Sequence, residues 1–187
     1  MSTLAPVQPT TKELVELCAL DSSFYCRTFF PNTFRQKSPP FHWDIWNLLE
    51  DQQHRYVAVE IFRGGAKTTN LRAYVSKRIA YGISRTIGLV SAAQDHSKKS
   101  LQWVKTQVEK NVFWRDVFKI SKGRKWNDEE IELKHGLLGI TITVVALGIT
   151  GQVRGINIED YRPDLLVVDD PCDEENTGTP EQRKKIS

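Results

Sequence analysis

A β-branched, alternating run at residues 56–62 (YVAVEIF) passes through a glycine-rich turn, Arg63-Gly64-Gly65-Ala66, directly into an apolar helical period. Alternation with a period of two predicts a strand. Past the turn, Leu71, Val75 and Ile79 fall at i, i+4 and i+8 on one helix face, and Gly82 stands where a C′ glycine ends a helix. A strand feeding a helix through so short a turn restricts the chain to layered α/β folds. It also carries a chemical expectation. Backbone N–H groups cluster in such a turn at the positive end of the helix dipole, where they bind phosphate oxygens. Gly64 and Gly65 allow close backbone approach. Ala66 and Thr69 complete the cradle, Lys67 reaches the β- and γ-phosphates, and the Thr68 hydroxyl ligates Mg²⁺. The strict pattern G-x-x-x-x-G-K-[ST] fails twice, with Ile61 at the first glycine and Ala66 at the second. Arg63 adds a second cation beside the phosphates.

The remaining chain repeats the strand and helix alternation. Helices are expected near residues 12–20, 41–51 and 95–111, and a second short strand at 86–91 (TIGLVS). Residues 130–133 and 138–147 alternate well and are joined by His135-Gly136, which predicts a hairpin. An apolar run at 165–168 ends in Asp169-Asp170. Buried apolar strands alternating with helices predict a mainly parallel central sheet flanked by helices, with the hairpin as an insertion. The acidic strand end matters most. A phosphate loop requires a carboxylate at the end of a neighbouring buried strand to hold Mg²⁺, and Asp169 supplies one.

The length of 187 residues suits one domain with a real core, and 40% apolar with 26% charged residues excludes a collagen, a disulfide-stapled mini-protein and a disordered chain. No apolar run reaches the roughly 18–20 residues that span a bilayer, so no membrane partner is expected. The N-terminus lacks a basic segment followed by an apolar one, which argues against a secretory signal. Cys18, Cys26 and Cys172 form no C-x-x-C and fit a reducing compartment, with structural roles. The net charge of +3 is unevenly spread: residues 1–56 carry −1, residues 57–127 carry +11 and residues 128–187 carry −7. A basic middle suits a polyanion, a nucleotide or a nucleic-acid backbone. Lys98, Lys99, Lys105 and Lys110 either meet DNA phosphates or form a solvated helix face.

The Arg-Gly-x-Ala-Lys-Thr loop, the later Arg154-Gly155 and the run Arg162-Pro-Asp-Leu-Leu-Val-Val-Asp-Asp-Pro171 resemble the large terminase subunit of tailed bacteriophages. Phe41-His42 and the stretch Trp126…Ile131-Glu-Leu…Gly139…Ala146-Leu-Gly148 are similar to the same ATPase. The resemblance covers about residues 35–187. It implies a P-loop NTPase fold of the ASCE type, with residues 1–40 as an N-terminal extension or adaptor and 41–187 as the ATPase domain. It implies ATP hydrolysis with Mg²⁺, coupled to translocation of double-stranded DNA into a prohead. The implied partners are a portal protein, a small terminase subunit and further copies of the chain in a ring. The implied place is the host cytoplasm, docked on the prohead portal.

The same resemblance implies roles by position. Lys67 and Thr68 match the Walker A lysine and hydroxyl, and Arg63 the loop arginine that senses the γ-phosphate. Asp169 matches the Mg²⁺-associated Walker B acid. Asp170 stands where many members carry the catalytic Glu, one methylene longer, with Glu174 and Glu175 as alternatives. Arg154 falls in a segment that acts as an arginine finger on a neighbouring subunit's nucleotide. Family members continue into a coupling motif, a lid and a nuclease domain. Ser187 lies about 17 residues past Asp170, so a fragment or truncation is expected, without nuclease activity. His42 is a candidate for contact with the base. His54, His96 and His135 are expected at the surface. Two other functions stay open: a superfamily-2-like helicase, which would carry D-E-x-[HD] where this chain has Asp169-Asp170-Pro171-Cys172, and a degenerate module that binds nucleotide or DNA without turnover.

Overall fold

The computed structural model describes residues 10–149 and 162–171. They fall into two compact units, one ending at Gly65 and the other starting at Ala66.

The first unit is helical: α1 (Thr11–Leu20), α2 (Ser22–Phe29) and α3 (Pro40–Glu50). Thr10 and Glu13 form a reciprocal capping box at the start of α1. Asp21 ends α1 and caps α2, its carboxylate accepting the Phe24 N–H at 2.8 Å. This double use of one short acidic side chain lets two helices follow each other without a loop. α2 is an addition to the expected elements. Tyr25 packs its ring against Phe29 and Phe30, and Cys18, Tyr25, Cys26 and Phe29 are all buried. The Ser22 hydroxyl donates to the Glu50 carboxylate. α3 starts with Pro40 in its first turn, where a missing N–H costs nothing.

The second unit is a sheet with helices. Its elements are α4 (Lys67–Ala80), β1 (Thr86–Ser91), α5 (Gln94–Lys110), α6 (Val112–Phe118), β2 (Ile120–Trp126), β3 (Glu130–His135), β4 (Ile140–Gly148) and β5 (Leu165–Val168). The strand order is β2-β3-β4-β1-β5. β1 lies parallel to both β4 and β5, whereas β2, β3 and β4 form an antiparallel meander. The sheet is therefore mixed and only partly parallel, which corrects the expectation of a mainly parallel one. β4 pairs with β3 on one side and β1 on the other, so the hairpin is part of the main sheet. Short connections force antiparallel neighbours, and only the longer crossovers around β1 permit parallel ones.

All six residues of β1 are buried, as a central parallel strand requires. α5 packs on β1 and β4 and buries Leu101, Val104 and Val108 along one stripe. Each such side chain contributes roughly 1.5–3 kcal/mol by leaving water. Gly82, at φ +61, ends α4 as expected. Residues 56–62 depart from expectation: they join no ladder and are mostly exposed. β-propensity describes a fit to a paired, half-buried surface and does not make a strand by itself.

Candidate phosphate site at the start of α4

The turn before α4 carries unusual backbone angles. Gly64 has φ +89, a region closed to most side chains. A Cβ at Gly65 would lie 2.8 Å from Ile61 Cδ1 and 3.1 Å from the Phe62 carbonyl, so that position is closed for a different reason, space. Ala66 is the N-cap of α4 at φ +61, left-handed, with no side chain to cap the helix. The first intrahelical bond runs from Asn70 N–H to Ala66 O at 3.0 Å. The N–H groups of Lys67, Thr68 and Thr69 thus stand ahead of the helical ladder, at the positive end of its dipole. Asn70 is fully buried and its amide also donates to Ala66 O, at 3.1 Å.

The end of β5 meets this helix start across a sequence separation of 101 residues. The Thr68 hydroxyl donates to Asp169 Oδ2 at 2.6 Å. The Lys67 ammonium lies 3.4 Å from Asp169 Oδ1 and 2.5 Å from Asp170 Oδ1. Burial pulls the Lys67 pKa down, but the hydrogen bond to Asp170 and the charges of both aspartates outweigh it and hold it above 10.5. The lysine is a cation at any physiological pH. Asp169 Oδ1 is buried and makes no hydrogen bond. Its neighbour is the Lys67 ammonium at 3.4 Å, and a carboxylate beside a hydroxyl supplies the hard oxygen donors that Mg²⁺ takes. Thr68 and Asp169 are two oxygen donors of that kind, and among the described residues no group of three or more His, Cys, Asp or Glu side chains could hold a metal ion.

Two residues were not signalled by the sequence pattern. Arg72 sits one helical turn past Thr68, donates from Nε to the Ser100 hydroxyl at 3.1 Å and is half-buried. Burial lowers its pKa and the Asp169 charge opposes that shift. Thr68, Arg72, Ser100 and Asp169 share the wall of a cavity of about 20 Å³, enough for one water molecule and far too small for a nucleotide. Its hydrogen bond to Ser100 on α5 turns Arg72 inward, a contact that spacing along α4 does not announce. Asp164 is the second: its carboxylate accepts the N–H groups of Arg85, at 2.7 Å, and Thr86, pinning β5 to the start of β1.

The other sequence candidates are distributed as follows. Arg63 is exposed, in the turn of the first unit. His42, also in that unit, is buried and donates from Nε2 to the Gly65 carbonyl at 3.0 Å, while its Nδ1 has no partner. His54 is exposed beside Asp51, and His96 is exposed. His135 is not at the surface. It is 2% exposed and donates from Nε2 to Ala80 O at 2.8 Å, joining β3 to the end of α4. Lys98 pairs with Glu129, and Lys105 is buried against Asp128 and the Asn127 carbonyl. These two lysines tie α5 to the β2–β3 turn and do not form an open basic face. Arg154, Cys172, Glu174 and Glu175 lie outside the described residues.

No protein-family model and no curated protein matches the chain.

Proposed function

We propose that the chain is an ATP-hydrolysing motor unit of the P-loop type, similar to the large terminase subunit, which drives double-stranded DNA into a prohead. One observation carries this reading. The Lys67 ammonium and the Thr68 hydroxyl, on a helix start behind a glycine turn, converge on the Asp169-Asp170 strand end. That convergence supports the reading, because the groups it assigns to phosphate and to Mg²⁺ share hydrogen bonds across about 100 residues of chain.

In this reading the amides of residues 67–69 and the Lys67 ammonium hold the triphosphate oxygens. Thr68 and Asp169 hold Mg²⁺, which neutralises charge on the phosphates when bound. Asp170, released from Lys67 by the incoming phosphates, accepts a hydrogen bond from water and orients it for in-line attack. Arg63 and the partner subunit's Arg154 supply planar donors to the charge that develops on the transferring phosphoryl group. The resemblance alone keeps His42 as a candidate contact for the base. DNA, portal protein, small subunit and ring assembly belong to the same proposal, as does docking at the prohead in the host cytoplasm. Among the described residues no helix is long and apolar enough to cross a membrane.

Phosphate release by purified protein tests the reading. Lys67→Ala is expected to lower Mg²⁺-dependent release at least ~100-fold, because it removes a donor aimed at developing charge. Long duplex DNA is expected to stimulate the wild-type chain. Unchanged release in the variant would refute the loop assignment, and no release under any condition would leave the non-hydrolysing module.

A further inference from the structure

Asp170 is held in a conformation that aspartate adopts at some cost. Its φ is +47, in the left-handed region, and Pro171 follows it. Its carbonyl accepts the Ala92 N–H at 3.0 Å, which fixes the peptide against the end of β1. The result is a carboxylate aimed at Lys67, at 2.5 Å, closer than the 3.4 Å of Asp169. Strained non-glycine residues of this kind gather at functional sites. Here that backbone angle accompanies an ion pair on the Lys67 ammonium. The same ammonium that pairs with Asp170 is the one a β- or γ-phosphate needs.

Resting on the nucleotide reading above, we propose that Asp170 is an internal competitor for Lys67, standing in for a phosphate oxygen until a polyphosphate displaces it. Displacement weakens every ligand that uses Lys67. A lone anion with no other hold on the turn cannot offset it. A nucleoside di- or triphosphate can, because the backbone amides at the start of α4 hold it as well. A monophosphate whose only phosphate stops short of Lys67 neither gains nor loses by the contact. After hydrolysis the carboxylate returns to Lys67 and favours departure of the cleaved phosphate.

Equilibrium binding tests this with full-length wild-type chain, Asp170→Asn and Asp170→Gly. Both replacements accept the left-handed backbone, so both are expected to fold. The probes are β,γ-imido-ATP, pyrophosphate and AMP, without Mg²⁺. Both variants are expected to bind the imido analogue and pyrophosphate about fivefold tighter, the scale of a largely exposed ion pair, and AMP within about twofold of wild type. The gain is expected to shrink in high salt. Unchanged or weaker binding in the variants, with wild type binding normally, overturns the competitor role and leaves the nucleotide reading intact. An equal gain for AMP also overturns it, because it would report only the lost negative charge. No binding of any probe by any of the three proteins overturns both.

Discussion

Ala66 holds a left-handed φ of +61 with a methyl group that this region tolerates poorly. For an L-residue the left-handed region costs roughly 1–2 kcal/mol, and glycine recovers most of that while adding about 0.4–1 kcal/mol of unfolded-state entropy. Ala66→Gly is therefore expected to raise stability by about 0.5–1 kcal/mol, read as a higher thermal midpoint at unchanged far-ultraviolet dichroism. A fall would mean that the methyl group is packed in a way that the turn depends on. The alanine at the second glycine position of the strict pattern thus carries a conformational cost. Lys67, Thr68 and Asp169 were legible in the sequence because their residue types sit at fixed offsets from a turn and a strand end. Asp170 was legible as a candidate, but its pairing with Lys67 was not. That contact depends on a backbone angle that no residue type announces. Arg72 was hidden for another reason, since its role comes from Ser100 on a different helix.

At the level of elements, α5 is tied to the β2–β3 turn by ion pairs at Lys98–Glu129 and Lys105–Asp128, and to β2 by Lys122–Glu109. The Lys105 hydrogen bond and charge hold the Asp128 pKa below 3.8, and the hydrogen bonds from Lys122 and Trp126 hold Glu109 below 4.5. Carboxyls with depressed values stabilise the fold above their unfolded pKa and lose that contribution as pH falls through the folded one. Acidification below about pH 4.5 is therefore expected to loosen the α5–β2 seam before β1 opens. Amide exchange in 120–130 rising ahead of that in 86–91 would bear this out, and simultaneous exchange would contradict it. Most elements were readable from period and punctuation: α4, β1, α5, the β3–β4 hairpin and β5 all stand near their expected places. β2 was not, because Ile120–Trp126 is lysine- and arginine-rich and largely exposed, an edge strand whose charges blunt further pairing. Residues 56–62 erred the other way, with strand composition but no ladder. His135 looked like a turn residue, yet its ring serves as a buried donor to Ala80 O.

Across the whole chain, the surplus of positive charge between residues 57 and 127 and of negative charge beyond is partly consumed inside the second unit. Asp128 and Glu129 neutralise two lysines of α5, and Asp169 and Asp170 neutralise Lys67. The charge asymmetry suits a polyanion, a nucleotide or a nucleic-acid backbone, or a solvated helix face, and these pairings leave fewer free lysines for any of them than the counts imply. The mixed sheet brings one acidic strand end, on β5, against one helix start, and everything proposed for catalysis depends on that junction. A crystal structure of the chain with β,γ-imido-ATP and Mg²⁺ addresses it most directly. The expected result is a γ-phosphate oxygen within hydrogen-bond reach of Lys67 Nζ, Mg²⁺ on Thr68 Oγ1 and on Asp169 directly or through water, and the Lys67–Asp170 pair broken. An analogue bound away from the start of α4, or bound there with Lys67 still on Asp170 and no metal at Thr68, would contradict it.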